Sequence, residues 1–173
     1  SFTSTGDVTL DKSTLLLGDS AKYAAVKSSV ANGGLLQVGD SSTMSGTSFS
    51  LNKGTLYMGA ESRLTSTDFS LKDSTLKLKP GNSGAFITAA NLPTLSGANA
   101  LDFQAVPNGT FVIMHTTDAD PDHVFKAASS TDTFTGRVTV NGGAITGGGR
   151  VKWKGLEIRD DGKTVHHPEA VGV

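Results

Sequence analysis

A chain of 173 residues with a formal net charge of -1, no cysteine and 21 glycines has room for one domain with a sizeable core. It carries no basic field to neutralise a phosphate backbone, which argues against a nucleic-acid partner, and no thiol for a disulfide, a thiolate metal site or a thiol nucleophile. Charged residues make up 18% and hydrophobic ones 36%, and with Ser, Thr and Gly in every segment, turns and strands are favoured over long helices.

The chain opens on SFTSTGDVTL, which has neither the basic start nor the apolar centre of a signal peptide, and no apolar run approaches the roughly 18 residues of a membrane span. The abrupt ends are those expected of a piece of a larger parent chain. The first strand signal is TLLL at residues 14–17, followed by Gly18, Asp19 and Ser20. Residues 20–31, SAKYAAVKSSVA, place Tyr23, Val26 and Val30 at three- and four-residue steps, a spacing open to a helix or to an irregular coil.

From residue 32 the chain repeats itself. Residues 32–51 read NGGLLQVGDSSTMSGTSFSL, residues 52–71 read NKGTLYMGAESRLTSTDFSL, and residues 72–81 begin a third copy, KDSTLKLKPG. Leu15, Leu36, Leu56 and Leu76 align, as do Leu17, Val38, Met58 and Leu78 two places later, so each copy holds an apolar-x-apolar strand with one face inward. A second strand closes each copy on Phe49 and Leu51, then on Phe69 and Leu71. Gly18, Gly39 and Gly59 follow the first strand, with Pro80 and Gly81 in the last copy, as corner residues chosen for backbone freedom or a fixed φ. A period near 20 with two or three short strands predicts an all-β parallel solenoid whose coils stack about 4.8 Å apart. An antiparallel sandwich also shows short strands, but alignment of whole blocks favours the solenoid, with Leu36, Leu56 and Leu76 as neighbours in adjacent parallel strands.

The period fails after Leu92. Residues 101–117 read as two strands joined at Pro107, Asn108 and Gly109, residues 118–132 as a polar loop, and RVTVNGGAITGGG, RVKWKGLEI and KTV as three more strands. The organisation expected is repetitive coils over residues 1–100 and an aperiodic β cap, continuous with them, over 101–173, with Trp153 beside Val151, Leu156 and Ile158 as its apolar centre. STLKLKPG-like coils, the NGTFVIMHTT strand and the VKWKGLEIRDDGKTV ending together resemble the C-terminal part of a bacterial autotransporter (type V secretion) passenger. That resemblance implies a right-handed parallel β-helix, export to the extracellular or outer-membrane surface of a Gram-negative bacterium, and adhesin, virulence or autochaperone roles, with a host surface protein or glycan as partner. The helical linker and membrane barrel of that family are not in this sequence.

Candidate chemistry is sparse. Gly18-Asp19-Ser20 after an apolar run, with His167-Pro168 near the end, resembles the first and last blocks of SGNH esterases, which implies Ser20 as nucleophile and His167 as its base. The acidic partner three residues before that histidine is missing, since position 164 is Thr. Asp118, Asp120 and Asp122 form a D-x-D-x-D run with oxygens for Ca²⁺, but His123 stands where an EF-hand loop needs Gly and Ser129 where it needs Glu, so solvated loop acid is the expected role. His115, His123, His166 and His167 have no zinc spacing. A solenoid that binds or cleaves polysaccharide is the main alternative, yet the outward positions Gln37, Tyr57 and Lys77 supply no carboxylate pair. The expectation is a non-enzymatic surface scaffold without metal or cofactor.

Overall fold

An apolar side chain at every second position gives a short strand one face to bury, and such a strand persists only when neighbours pair on it. The computed structural model describes residues 1–81, 84–105, 113–117, 134, 137–144, 150–153, 156–159 and 164–166. Most of its strands fall on three ladders. The first holds β1 (Phe2–Thr3), β4 (Lys22–Ala24), the leading parts of β7 (Thr43–Asn52) and β9 (Arg63–Lys72), β11 (Ile87–Ala89) and β14 (Met114–Thr116). The second holds β2 (Val8–Asp11), β5 (Lys27–Ala31), the trailing parts of β7 and β9, and β12 (Thr94–Ser96). The third holds β3 (Thr14–Leu17), β6 (Leu35–Val38), β8 (Thr55–Met58), β10 (Thr75–Leu78), β13 (Ala100–Phe103) and β15 (Val138–Val140). Every pairing among these strands is parallel, and the result is a β-solenoid of about 5 turns with about 21 residues per coil.

Stacking puts like on like in the interior. Leu36, Leu56 and Leu76 are direct neighbours in adjacent parallel strands and fully buried, as the repeat predicts. The row begins at Leu15 and runs on through Leu101 to Val138. A second row joins Leu17, Val38, Met58, Leu78, Phe103 and Val140. On the second ladder Phe49 and Phe69 stack with ring centroids 6.2 Å apart, but the next position in their row is Ser28. Tyr23 from the first ladder fills that space: its hydroxyl lies 2.7 Å from Ser28 Oγ and its ring sits between Phe2 at 5.3 Å and Phe49 at 6.4 Å. An aromatic stack thus threads four coils, each side chain contributing roughly 1.5–3 kcal/mol on full burial.

Residues 20–31 form an irregular coil of the solenoid, with strands at Lys22–Ala24 and Lys27–Ala31 and a corner between them, rather than a helix. Tyr23, Ser28 and Val30 point inward while Lys27 is exposed and Ser29 half-buried, and Val26 stands 42% exposed at a corner. The helical spacing of Tyr23, Val26 and Val30 therefore does not describe a buried stripe; pairing with β1, β2 and β7 decides the conformation.

Gly81 takes the positive φ expected of a corner glycine, 131°, but the other three corners differ from expectation in their physical reason. Gly18, Gly39 and Gly59 do lie at the corner after the third ladder, but none has a positive φ. The left-handed residues there are Ser20, Ser41 and Glu61, with φ of 55°, 56° and 57°, and at the corner before that ladder Lys12, Asn32, Lys53 and Asp73, with φ of 51°, 50°, 57° and 47°. What Gly39 and Gly59 supply is closeness: a Cβ on Gly59 would run into the carbonyl carbon of Gly39 and the amide of Asp40, and one on Gly39 into Gly18 and Asp19.

Beyond residue 100 the sequence period is lost but the ladders continue. The two strands expected in residues 101–117 exist as β13 and β14, which belong to different ladders rather than pairing with each other. After β15 the chain turns at Asn141 and Gly142 (φ 47° and 78°) into β16 (Gly143–Ala144), which pairs antiparallel and is the last strand of the third ladder among the described residues. β17 (Arg150–Trp153), β18 (Leu156–Arg159) and β19 (Thr164–His166) form a separate antiparallel sheet, with Trp153 opposite Leu156 and Val151 opposite Ile158. Pro107, Asn108 and Gly109 lie outside the described residues.

Candidate functional site

Among the described residues four aspartates work between coils. A parallel stack leaves backbone N–H groups at each corner, where strand pairing stops, and a buried N–H without a partner is costly. Asp19 Oδ1 accepts the Asp40 N–H at 2.8 Å, Asp40 Oδ1 accepts the Ala60 N–H at 2.9 Å, Asp73 Oδ1 accepts the Ala98 N–H at 2.8 Å, and Asp102 Oδ1 accepts the Gly142 N–H at 2.9 Å. Each carboxylate holds the backbone of the following coil. Buried Ser42, Ser62, Ser74 and Asn99 reach the other way, to the backbone of the preceding coil, with neutral groups: Ser62 Oγ donates to Gly39 O at 2.7 Å and accepts the Ser42 N–H at 3.2 Å, while Asn99 Oδ1 accepts the Ser74 N–H at 3.0 Å. The sequence signal for this system is the recurrence of Asp after Gly at positions 19 and 40, one coil apart.

Two of these carboxyls are perturbed. Lys79 Nζ lies 2.6 Å from Asp40 Oδ2, reaching across Ala60; its hydrogen bond holds the Asp40 carboxyl below its ordinary range, and the same contact raises Lys79. Burial pushes Asp102 up, but hydrogen bonds from the Gly142 N–H, the Thr139 hydroxyl and the Gln104 amide, with the Lys77 charge, leave it below the ordinary value.

The outward side chains form columns. On the second ladder Thr9, Ser29, Ser50, Ser70 and Thr94 follow one another; on the first, Ala24, Ser45, Thr65, Thr88 and His115. The third ladder carries Leu16, Gln37, Tyr57, Lys77, Asp102 and Thr139. Asp102 joins the column of Gln37, Tyr57 and Lys77 as its one carboxylate, and it is engaged by Thr139, Gln104 and Gly142.

Ser20 is an exposed left-handed corner whose N–H donates to Asp40 O at 2.7 Å, Asp19 is committed to Asp40, and the preceding TLLL is a solenoid strand rather than the strand of an α/β sheet. His167 lies outside the described residues, as do His123 and the calcium candidates Asp118, Asp120 and Asp122. His115 is on β14 beside Thr88, and His166 is on β19. Among the described residues no group of three His, Asp or Glu side chains is placed to hold a metal ion, and no helix is long and apolar enough to cross a membrane. No protein-family model, curated protein or solved structure matches this chain.

Proposed function

We propose that this chain is a non-enzymatic surface scaffold, an extracellular solenoid segment that presents its lateral faces to a host surface protein or glycan, with the part after residue 100 acting as its folding cap. The observation that carries the reading is the use of the acids. Asp19, Asp40, Asp73 and Asp102 bind the backbone of the next coil, so the charged chemistry goes into holding the stack, while the sides offer Ser and Thr columns suited to contact over an area. The absence of cysteine is compatible with a stack held by packing and backbone pairing alone, and the resemblance to an autotransporter passenger supplies the location: the surface of a Gram-negative bacterium.

A second reading, polysaccharide binding or cleavage, draws on the third-ladder column, where Tyr57 offers a ring face between the amide of Gln37 and the ammonium of Lys77. Incubation with acidic and neutral polysaccharides and with simple esters separates the readings. The scaffold predicts no new reducing ends, no unsaturated products and no ester hydrolysis. Product that disappears in Ser20→Ala or His167→Ala would replace the scaffold with the esterase, and polysaccharide cleavage would replace it with a solenoid lyase or hydrolase.

A further inference from the structure

The chain has two tyrosines and uses them differently. Tyr23 is buried, stacked on Phe2 and hydrogen-bonded to Ser28. Tyr57 stands half-buried on the outer side of β8, and among the described residues its ring meets no other ring and its hydroxyl has no hydrogen-bond partner. The other aromatic side chains described, Phe2, Phe49, Phe69, Phe86, Phe103 and Phe134, pack in the core or on it. A ring kept outside a core is suited to an interface, where a flat apolar face and a polar tip are both of use.

Gln37 and Lys77 lie directly before and after Tyr57 on the third ladder, outward and half-buried like it. Among the described residues their side chains also make no hydrogen bond or ion pair. The acids nearby are in the opposite condition. Both oxygens of Asp40 are taken, by the Ala60 N–H and by Lys79, and both of Asp102, by Gly142, Thr139 and Gln104. Three successive strands therefore present an amide, a ring and an ammonium that the stack does not use, and the uncommitted charge among them is positive.

We propose that this column binds an acidic polysaccharide, a uronate-bearing chain laid along the solenoid axis across β6, β8 and β10. The inference rests on the scaffold reading above and names the partner of one of its faces. Neighbouring strands lie about 4.8 Å apart, close to the length of one sugar in an extended polysaccharide, so a chain along the column meets one strand per sugar. A repeating polymer gains from that regularity, whereas a protein surface does not. The C–H face of a sugar ring covers the Tyr57 ring, the Gln37 amide donates to and accepts from sugar hydroxyls, and the Lys77 ammonium pairs with a uronate carboxylate. Thr55 and Thr75, paired on the adjoining outward column, add hydroxyls along one flank. Asp102, the next position after Lys77, repels a further carboxylate and bounds the site.

The test is isothermal titration calorimetry of the full chain with hexasaccharides of galacturonate, of mannuronate and of hyaluronan, and with methyl-esterified galacturonate and cellohexaose as uncharged counterparts. At least one acidic hexasaccharide is expected to bind, less tightly as NaCl is added, and the uncharged ones roughly tenfold more weakly or not at all. Tyr57→Ala is expected to weaken binding roughly tenfold, and Lys77→Gln to weaken it and remove most of its salt dependence. Lys72→Gln, which removes the same charge from the exposed side of the second ladder, is expected to change nothing. Far-UV spectra check the fold, and if Tyr57→Ala does not fold, Tyr57→Leu keeps the bulk without the flat ring. No binding of any acidic hexasaccharide, equal binding of the uncharged ones, or undiminished binding by the folded Tyr57 and Lys77 variants overturns the inference and leaves the scaffold reading standing. New reducing ends or unsaturated products from any hexasaccharide would instead overturn the scaffold reading, whether or not Tyr57 and Lys77 hold the chain.

Discussion

Ser66 sits 4% exposed on the inner side of β9, and its Oγ has no hydrogen-bond partner among the described residues. Its row runs from Gly46 through Ser66 to Ala89, positions where little volume is wanted, so the side chain is small but its hydroxyl is a burden. Ser66→Ala keeps the size and removes the unmatched group; the urea unfolding midpoint is expected to hold or rise, by up to about 1 kcal/mol in stability. The corner glycines give a matched pair. Gly59→Ala drives a methyl into the backbone of the coil before it, whereas Gly18→Ala meets nothing within 4 Å. The first is expected to lose roughly 1–3 kcal/mol and the second to unfold like the wild type, a difference that a φ-based role for these glycines would not produce. The distinction is not legible in the sequence, where the three align; only the presence or absence of a coil beneath separates them.

The strands and corners make a pH prediction. Asp40 and Asp102 titrate below the ordinary 3.8 when folded, so the stability they add is complete above that value and is lost as the pH falls through their lowered folded values. Tyr23 is raised above 10.0, by burial against the opposing Ser28 hydrogen bond, and Lys79 above 10.5 through Asp40; their contributions are present below those ordinary values and decline as the pH climbs through the raised ones. Urea midpoints measured across a buffer series should fall at both extremes. Asp40→Asn should flatten both limbs in part, since it removes the partner that raises Lys79.

At this scale the sequence was readable wherever a row repeats one kind of residue, as with Leu36, Leu56 and Leu76. It was ambiguous at residues 20–31 because Ser28 interrupts the phenylalanine row and the aromatic comes from Tyr23 on another ladder. The aspartate clamps are not legible in the sequence because their partners are backbone N–H groups about one coil further on, which leave no residue type to recognise.

For the molecule as a whole, stability in a stack is a sum of coils and of the contacts between neighbours. Stopping the chain after Gly97 removes β13, β14 and β15, uncovers Leu76, Leu78 and Ile87, and deprives Ser74 of Asn99 and Asp73 of the Ala98 N–H. The shortened chain is expected to aggregate on gel filtration or to lose cooperative urea unfolding. A soluble monomer with a sharp transition would show that the later residues are not the cap. The coils after residue 100 leave no period in the sequence because spacing and register part company there. Leu56 and Leu76 are 20 residues apart, Leu76 and Leu101 25, and Leu101 and Val138 37, yet each pair are next neighbours on one ladder.

That independence of pitch from chain length bears on how such a protein can change over generations. In most β proteins an added residue is among the most damaging of mutations, because a one-place slip turns a strand inside out. Here an insertion that falls at a corner is absorbed outside the ladder, as the lengthened coils around Leu101 already demonstrate, and the strands on either side keep their partners. Length variation becomes a source of novelty, with fresh loops displayed on an unchanged frame.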